Sequence, residues 1–176
     1  MAAPSGTMPS DALVFFGASG DLAYEQIFPS LLGLVRDEGL HIPIIGVAKS
    51  GWNLDQLKDR AKDSLSHLGP VDEKAQEKLL SLLRYVDGDY ADPATFAALY
   101  RELGEARRPL NYLAVPPSTF GIVAAGIAKS STAGEARLVI EKPFGHDRES
   151  AKQLNAMLRT CSRFQIGSNI GLAKRV

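Results

Sequence analysis

Two glycines, Gly17 and Gly20, follow directly on an all-apolar run, Ala12–Phe16, and lead into Asp21, Leu22 and Ala23. Glycine at these positions leaves a bare, tight turn that a pyrophosphate can approach. The helix start behind it offers unpaired N–H groups to the anion, and a small residue such as Ala23 lets the helix pack closely on the strand. The text GASGDLA is not the GxGxxG form and lacks the GK[ST] of a Walker loop. The same spacing also fits a tight strand-to-helix turn that carries no ligand.

The second apolar run, Ile42–Val47, ends in Ala48, Lys49 and Ser50, without an acid. A site for NAD places Asp or Glu there to take the ribose hydroxyls. Lys49, aided by Ser50, would instead pair with a 2′-phosphate and favour NADP. The competing reading is a solvated loop lysine. Asp89 and Tyr90 end a third strand and either line the adenosine and ribose region or form a plain turn. Lys142, between Glu141 and Pro143 at the end of another apolar run, would face a sugar hydroxyl, a phosphate or the nicotinamide end. A structural turn is the alternative. His41, His67 and His146 show no ligand spacing, so no metal is expected, and Cys161 reads as a small core residue.

These residues need a scaffold, and the apolar pattern supplies one. Strands are expected at Ala12–Phe16, Ile42–Val47, Arg84–Val86, Leu110–Val115 and Arg137–Ile140. Helical spacing follows Leu22, with a kink or broken turn near Pro29. Asn53 is expected to cap a helix to about Leu68, and Asp72 one through Leu83. Asp92–Pro93 starts another through Leu103. Ser118 is expected to cap one through Lys129, and a last helix covers roughly Arg148–Leu158. Alternation of short apolar strands with helices predicts an α/β, Rossmann-like, doubly wound and mainly parallel sheet with helices on both faces. Residues 1–11 read as a flexible lead-in and 12–163 as one dinucleotide-binding domain. Residues 164–176 read as a poorly defined tail with no clear period.

The chain has 176 residues, with Lys+Arg and Asp+Glu both at 20. That balance argues against a nucleic-acid partner. No apolar stretch approaches the about 18 residues of a membrane span, and ALVFF is too short for a secretory leader. One cysteine excludes an internal disulfide framework and makes the cytoplasm the natural compartment.

Taken in order, GASGDLA at 17–23, IFPSL at 27–31, GDY at 88–90, NYLAVPPSTF at 111–120 and LVIEKPFGHDRESAKQLN at 138–155 resemble the N-terminal coenzyme domain of the glucose-6-phosphate dehydrogenase family. The resemblance implies oxidation of D-glucose 6-phosphate at C1 to the 6-phospho-1,5-lactone, with hydride passing to NADP. It assigns Gly17, Ser19, Gly20, Asp21 and Leu22 to the dinucleotide loop and Lys49, usually an arginine in the family, to the 2′-phosphate. Asp89 and Tyr90 become cofactor contacts. Lys142 would touch cofactor and sugar phosphate, and Pro143 would take part in closure.

Two departures stand out. Tyr24 and Glu25 replace a basic residue that commonly follows GDLA. The family's arginine-isoleucine-aspartate-histidine segment, and the domain supplying the catalytic histidine and most sugar-phosphate contacts, have no counterpart in Phe164–Val176. His146 belongs to the matched segment and is not that base. The expectation is a chain that binds NADP with little or no turnover. Self-association through an exposed domain-docking surface is expected too. The alternatives are a non-catalytic nucleotide-binding module, one half of a complementing pair, and a ligand-free remnant.

Overall fold

In a computed structural model of the chain, residues 9–130, 136–140, 152 and 165–168 are described. Six parallel strands form one sheet: β1 (Ala12–Phe16), β2 (Ile44–Ala48), β3 (Leu83–Asp87), β4 (Pro109–Leu113), β5 (Arg137–Ile140) and β6 (Gln165–Ser168). Their order is β3-β2-β1-β4-β5-β6. Parallel neighbours need crossovers, and from β1 through β5 the helices provide them: α1 (Phe28–Asp37), α2 (Leu54–Ser66), α3 (Glu73–Leu82), α4 (Pro93–Leu103) and α5 (Phe120–Lys129). The doubly wound expectation therefore holds.

Strand periodicity divides the core in two. Leu13 and Phe15 point into a layer shared with α1, α2 and α3. Ala12, Val14 and Phe16 point into a layer with Phe96 and Leu99 of α4 and Val123 and Ile127 of α5. All five β1 side chains are fully buried, which is why the run shows no polar alternation. Burial of each such Phe or Leu contributes about 1.5–3 kcal/mol.

The helix starts follow local chemistry. Asn53 and Gln56 form a reciprocal capping box on α2. Asp72 accepts the Ala75 N–H, and Asp92 accepts the Ala94 N–H with Pro93 beside it. At the N-terminal side of α1, residues Ala23–Ile27 form a π-helical turn, and Pro29 sits in the first turn of α1. Proline has no N–H to continue the ladder, and its ring crowds the preceding turn. The disruption expected near Pro29 is thus a widened turn.

Two expectations change. Ser118 does not cap α5: Pro117–Thr119 form a 3-10 turn, and α5 begins at Phe120 with no side-chain cap. The prolines restrict the entry in its place. Gln165–Ser168, which showed no period, forms β6 in parallel register with β5, Leu138 opposite Ile166. Four residues with one large apolar side chain carry no readable alternation, and only the non-local pairing selects the strand. The Arg148–Leu158 helix lies outside the described residues, apart from Lys152 in helical conformation.

Helix α5 packs so tightly on α4 that a Cβ on Gly126 would lie 2.1 Å from the Phe96 ring. Gly126→Ala is expected to lower unfolding stability by about 1–3 kcal/mol in urea denaturation. Gly33→Ala in α1 meets nothing within 4 Å and is expected to raise it by up to about 1 kcal/mol.

Candidate functional site

The sheet order reverses between β1 and β4, so their carboxyl ends splay their connections to opposite faces and open a crevice. Gly17 sits at that point. Its φ is +83°, and a Cβ there would lie 2.1 Å from the Ala114 carbonyl oxygen at the end of β4. Only glycine permits both the conformation and the approach. The Gly17 N–H donates to the Val47 carbonyl and to the Tyr90 hydroxyl, each at 2.9 Å. Gly20 N–H donates back to Gly17 O at 3.0 Å and closes the turn. Among the described residues, the N–H groups of Ser19, Asp21 and Leu22 have no backbone acceptor, as expected at a helix start. The Leu22 side chain packs on the core, so it offers the crevice its backbone alone.

Tyr90 braces this turn. Its hydroxyl donates to Val47 O at 3.2 Å while accepting from Gly17, and its ring meets Phe16 edge-on at 5.8 Å. Burial raises the pKa of that hydroxyl, against the opposing Gly17 hydrogen bond, and keeps it protonated at neutral pH. The residue ties together the ends of β1, β2 and β3.

The loop after β2 is held from β3. Asp87 Oδ1 accepts the Ser50 and Gly51 N–H groups, both at 2.9 Å, and the Tyr85 hydroxyl at 2.8 Å. Desolvation pushes the Asp87 carboxyl up, but these donors, with Trp52 N–H, outweigh it and hold it below the usual range. Burial pushes the Tyr85 hydroxyl up to about 12, so it stays a donor. One residue back, Lys49 Nζ lies 2.7 Å from Asp89 Oδ2. The other oxygen of Asp89 accepts the Ala91 N–H at 2.9 Å. Lys49, then Ala91, depress the Asp89 carboxyl, and Asp89 raises the Lys49 ammonium in turn.

Tyr24, which replaces the expected cation, lies against α2. Its hydroxyl donates to Asp63 Oδ2 at 2.6 Å, and its carbonyl accepts the Ser64 hydroxyl. The Arg60 guanidinium carbon stands 4.3 Å above the Tyr24 ring, and Nη2 lies 3.6 Å from Asp21. A cation therefore reaches this neighbourhood from a different element. The Nε of Arg60 is buried, without a hydrogen-bond partner among the described residues.

Gly17, Ser19, Gly20, Asp21, Leu22, Lys49, Asp89 and Tyr90 thus come together along one sheet edge, linked through Tyr90 and the Lys49–Asp89 pair. Lys142, Pro143, His146 and Cys161 lie outside the described residues. Sequence reasoning passed over Arg60 and Asp87. Arg60 is 39 residues from Asp21 and reads as a solvated α2 position. Asp87 carried the weak signal of an acid at the close of a strand. An open groove of about 580 Å³ lies between α4 and α5 and meets the site through Tyr90 and Ala91. Among the described residues, no group of three or more His, Cys, Asp or Glu gathers as a metal site, and no helix is long and apolar enough to cross a membrane.

Residues 14–165 match the family model described as glucose-6-phosphate dehydrogenase, NAD binding domain. The glucose-6-phosphate 1-dehydrogenase 1 of Mycobacterium tuberculosis H37Rv is 39% identical over 150 residues, covering 85% of this chain and 32% of that protein. The Saccharomyces cerevisiae glucose-6-phosphate 1-dehydrogenase is 37% identical over 161 residues, covering 81% and 31%. The crystal structure of glucose-6-phosphate 1-dehydrogenase from Mycobacterium avium superposes with a TM-score of 0.83 at 41% identity, over 91% of this chain and 36% of that one. A glucose-6-phosphate dehydrogenase in complex with its substrate glucose-6-phosphate gives 0.76 at 29%, over 95% and 37%. The chain spans about a third of the length of these curated relatives. A reversal-point glycine turn with open donors, in a sheet of this order, and a family match over 14–165 lead to one conclusion: the chain belongs to the glucose-6-phosphate dehydrogenase family and carries its nicotinamide-dinucleotide-binding domain.

Proposed function

We propose that the chain binds NADP, with the pyrophosphate on the Gly17–Leu22 turn and the 2′-phosphate at Lys49, and turns over little or no substrate by itself. The observation that carries this reading is the continuity of the edge. Tyr90 holds the turn whose Ser19, Asp21 and Leu22 N–H groups lack backbone acceptors among the described residues, and its neighbour Asp89 holds the Lys49 ammonium. Anion donors and a cation are thereby presented on one side of the sheet, which fits a dinucleotide carrying an extra phosphate.

When bound, the nicotinamide accepts a hydride from a substrate carbon. The residues of the turn would hold the pyrophosphate to which it is joined. Lys142 would reach cofactor and sugar phosphate, and glucose 6-phosphate would be the substrate of the complete catalytic unit. That reaction also needs a base for the C1 hydroxyl and a clamp keeping the sugar within about 3–3.5 Å of the ring. The turn and the Lys49 loop provide neither, which supports the low-turnover reading. The cytoplasm remains the proposed compartment, on the single cysteine. Self-association is proposed through the exposed apolar side chains beside the α4–α5 groove, Tyr100 and Ile122.

Calorimetric titration tests the cofactor reading. Lys49→Ala is expected to weaken NADP about three- to tenfold and leave NAD unchanged, with no NADPH formed on adding glucose 6-phosphate. Absence of binding to either nucleotide by a folded sample would sink it. At Gly20 an added Cβ meets Gly17 O alone, at 3.3 Å. Gly20→Ala is therefore expected to keep the fold, by circular dichroism, while weakening both nucleotides at least about tenfold. Light scattering is expected to show mass rising with concentration, and a monodisperse monomer throughout would count against self-association.

A further inference from the structure

The Lys49–Asp89 contact has a consequence for nucleotide choice. Lys49 and Asp89 are 71% and 48% exposed, so neither is held in place by burial. The carboxylate is fixed by backbone instead: Ala91 N–H binds its second oxygen, and the Thr95 hydroxyl donates to the Asp89 carbonyl at 2.7 Å. Gly88, just before it, has no room for a side chain, because a Cβ would lie 2.2 Å from Thr95 Oγ1. The acid is therefore built into a tight turn, and the lysine comes to it. Asp87 adds a second carboxylate on the adjoining Ser50 and Gly51. Counting formal charges, Lys49 contributes +1 and Asp87 and Asp89 contribute −2, so the loop edge carries −1.

A 2′-phosphate brings about −1.5 to −2 charges to this place. To grip it, Lys49 must give up or share Asp89, and the phosphate must sit beside a fixed carboxylate. An unphosphorylated ribose meets no such repulsion, and its hydroxyl can donate to the same carboxylate. We infer that Asp89 is a specificity-determining residue: by engaging Lys49 and repelling the 2′-phosphate, it narrows the preference for NADP so that NAD is accepted alongside it. This rests on the cofactor reading above. Asp89 is ionised at neutral pH, since Lys49 and Ala91 N–H both favour the charged form.

The test is a double-mutant cycle on the whole chain, with NADP and NAD titrated separately into wild type, Asp89→Asn, Lys49→Ala and the double variant. Asparagine keeps the size and the acceptor for Ala91 N–H while removing the charge. Asp89→Ser does the same with a shorter acceptor, should the asparagine variant not fold. Asp89→Asn is expected to tighten NADP about five- to tenfold, to leave NAD unchanged or weaker, and to have a smaller effect on NADP, about two- to threefold, when Lys49 is alanine. An NADP-to-NAD ratio unchanged within about twofold overturns the role of Asp89, and a shift of the same full size without Lys49 overturns its engagement of Lys49. If Lys49→Ala alone still weakens NADP selectively in that case, the cofactor reading stands. If folded wild type binds neither nucleotide, both fall together.

Discussion

The rest of the edge depends on the backbone of β1 meeting that of β4 at Gly17. The added Cβ would overlap the Ala114 carbonyl, and φ is positive, so two separate constraints select the same residue. Because the strands meet there, the connections of β1 and β4 can leave to opposite layers. Because the turn is bare, the N–H groups behind it stay open. The positions of Lys49 and Asp89 follow from it, since Tyr90 spans Gly17 and Val47 and fixes the end of β3 against both.

Electrostatics on this edge is arranged by backbone more than by burial. Asp87 is held mainly by N–H groups of the adjoining turn and Asp89 by Lys49 and then the Ala91 N–H, and these keep both carboxyls below their ordinary range despite the desolvation that opposes it. Lys49 is the more exposed member of its pair. A long, exposed side chain pairs with whichever anion is nearest, so its partner in the free protein bears directly on what a ligand must displace. At Tyr24 the phenol replaces a cation in the text of the chain, yet Arg60 from α2 lies over its ring. A cation thus reaches this position from another element, in a geometry tied to Asp21 and so to the glycine turn.

Most of the fold was legible because its signals are local. Four strands, β1, β2, β4 and β5, appear as short, largely apolar runs, and Asn53, Asp72, Asp92 and Pro93 mark helix starts through contacts within three residues of themselves. Ser118 misled because a cap-forming residue type does not guarantee cap geometry when two prolines dictate the approach. Strand β6 was invisible because its existence depends on a partner far away in sequence. The glycine turn was legible for the same reason as the strands: its requirement is steric and lies within a few residues.

What the sequence by itself determined is the family, the layer architecture and the residue types that a dinucleotide edge requires. What only the tertiary structure decided is how those residues are engaged. The sequence offered Lys49 as a lone cation and Asp89 and Tyr90 as crevice lining. The folded chain sets Lys49 on Asp89, spends the Tyr90 hydroxyl on Gly17 and Val47, and brings Arg60 to Tyr24. Hydrogen bonds and ion pairs depend on distance in space, and their partners here lie 36 to 73 residues apart along the chain. Periodicity and capping carry no information at that range, so the pairing emerges only when the sheet order brings the strand ends together.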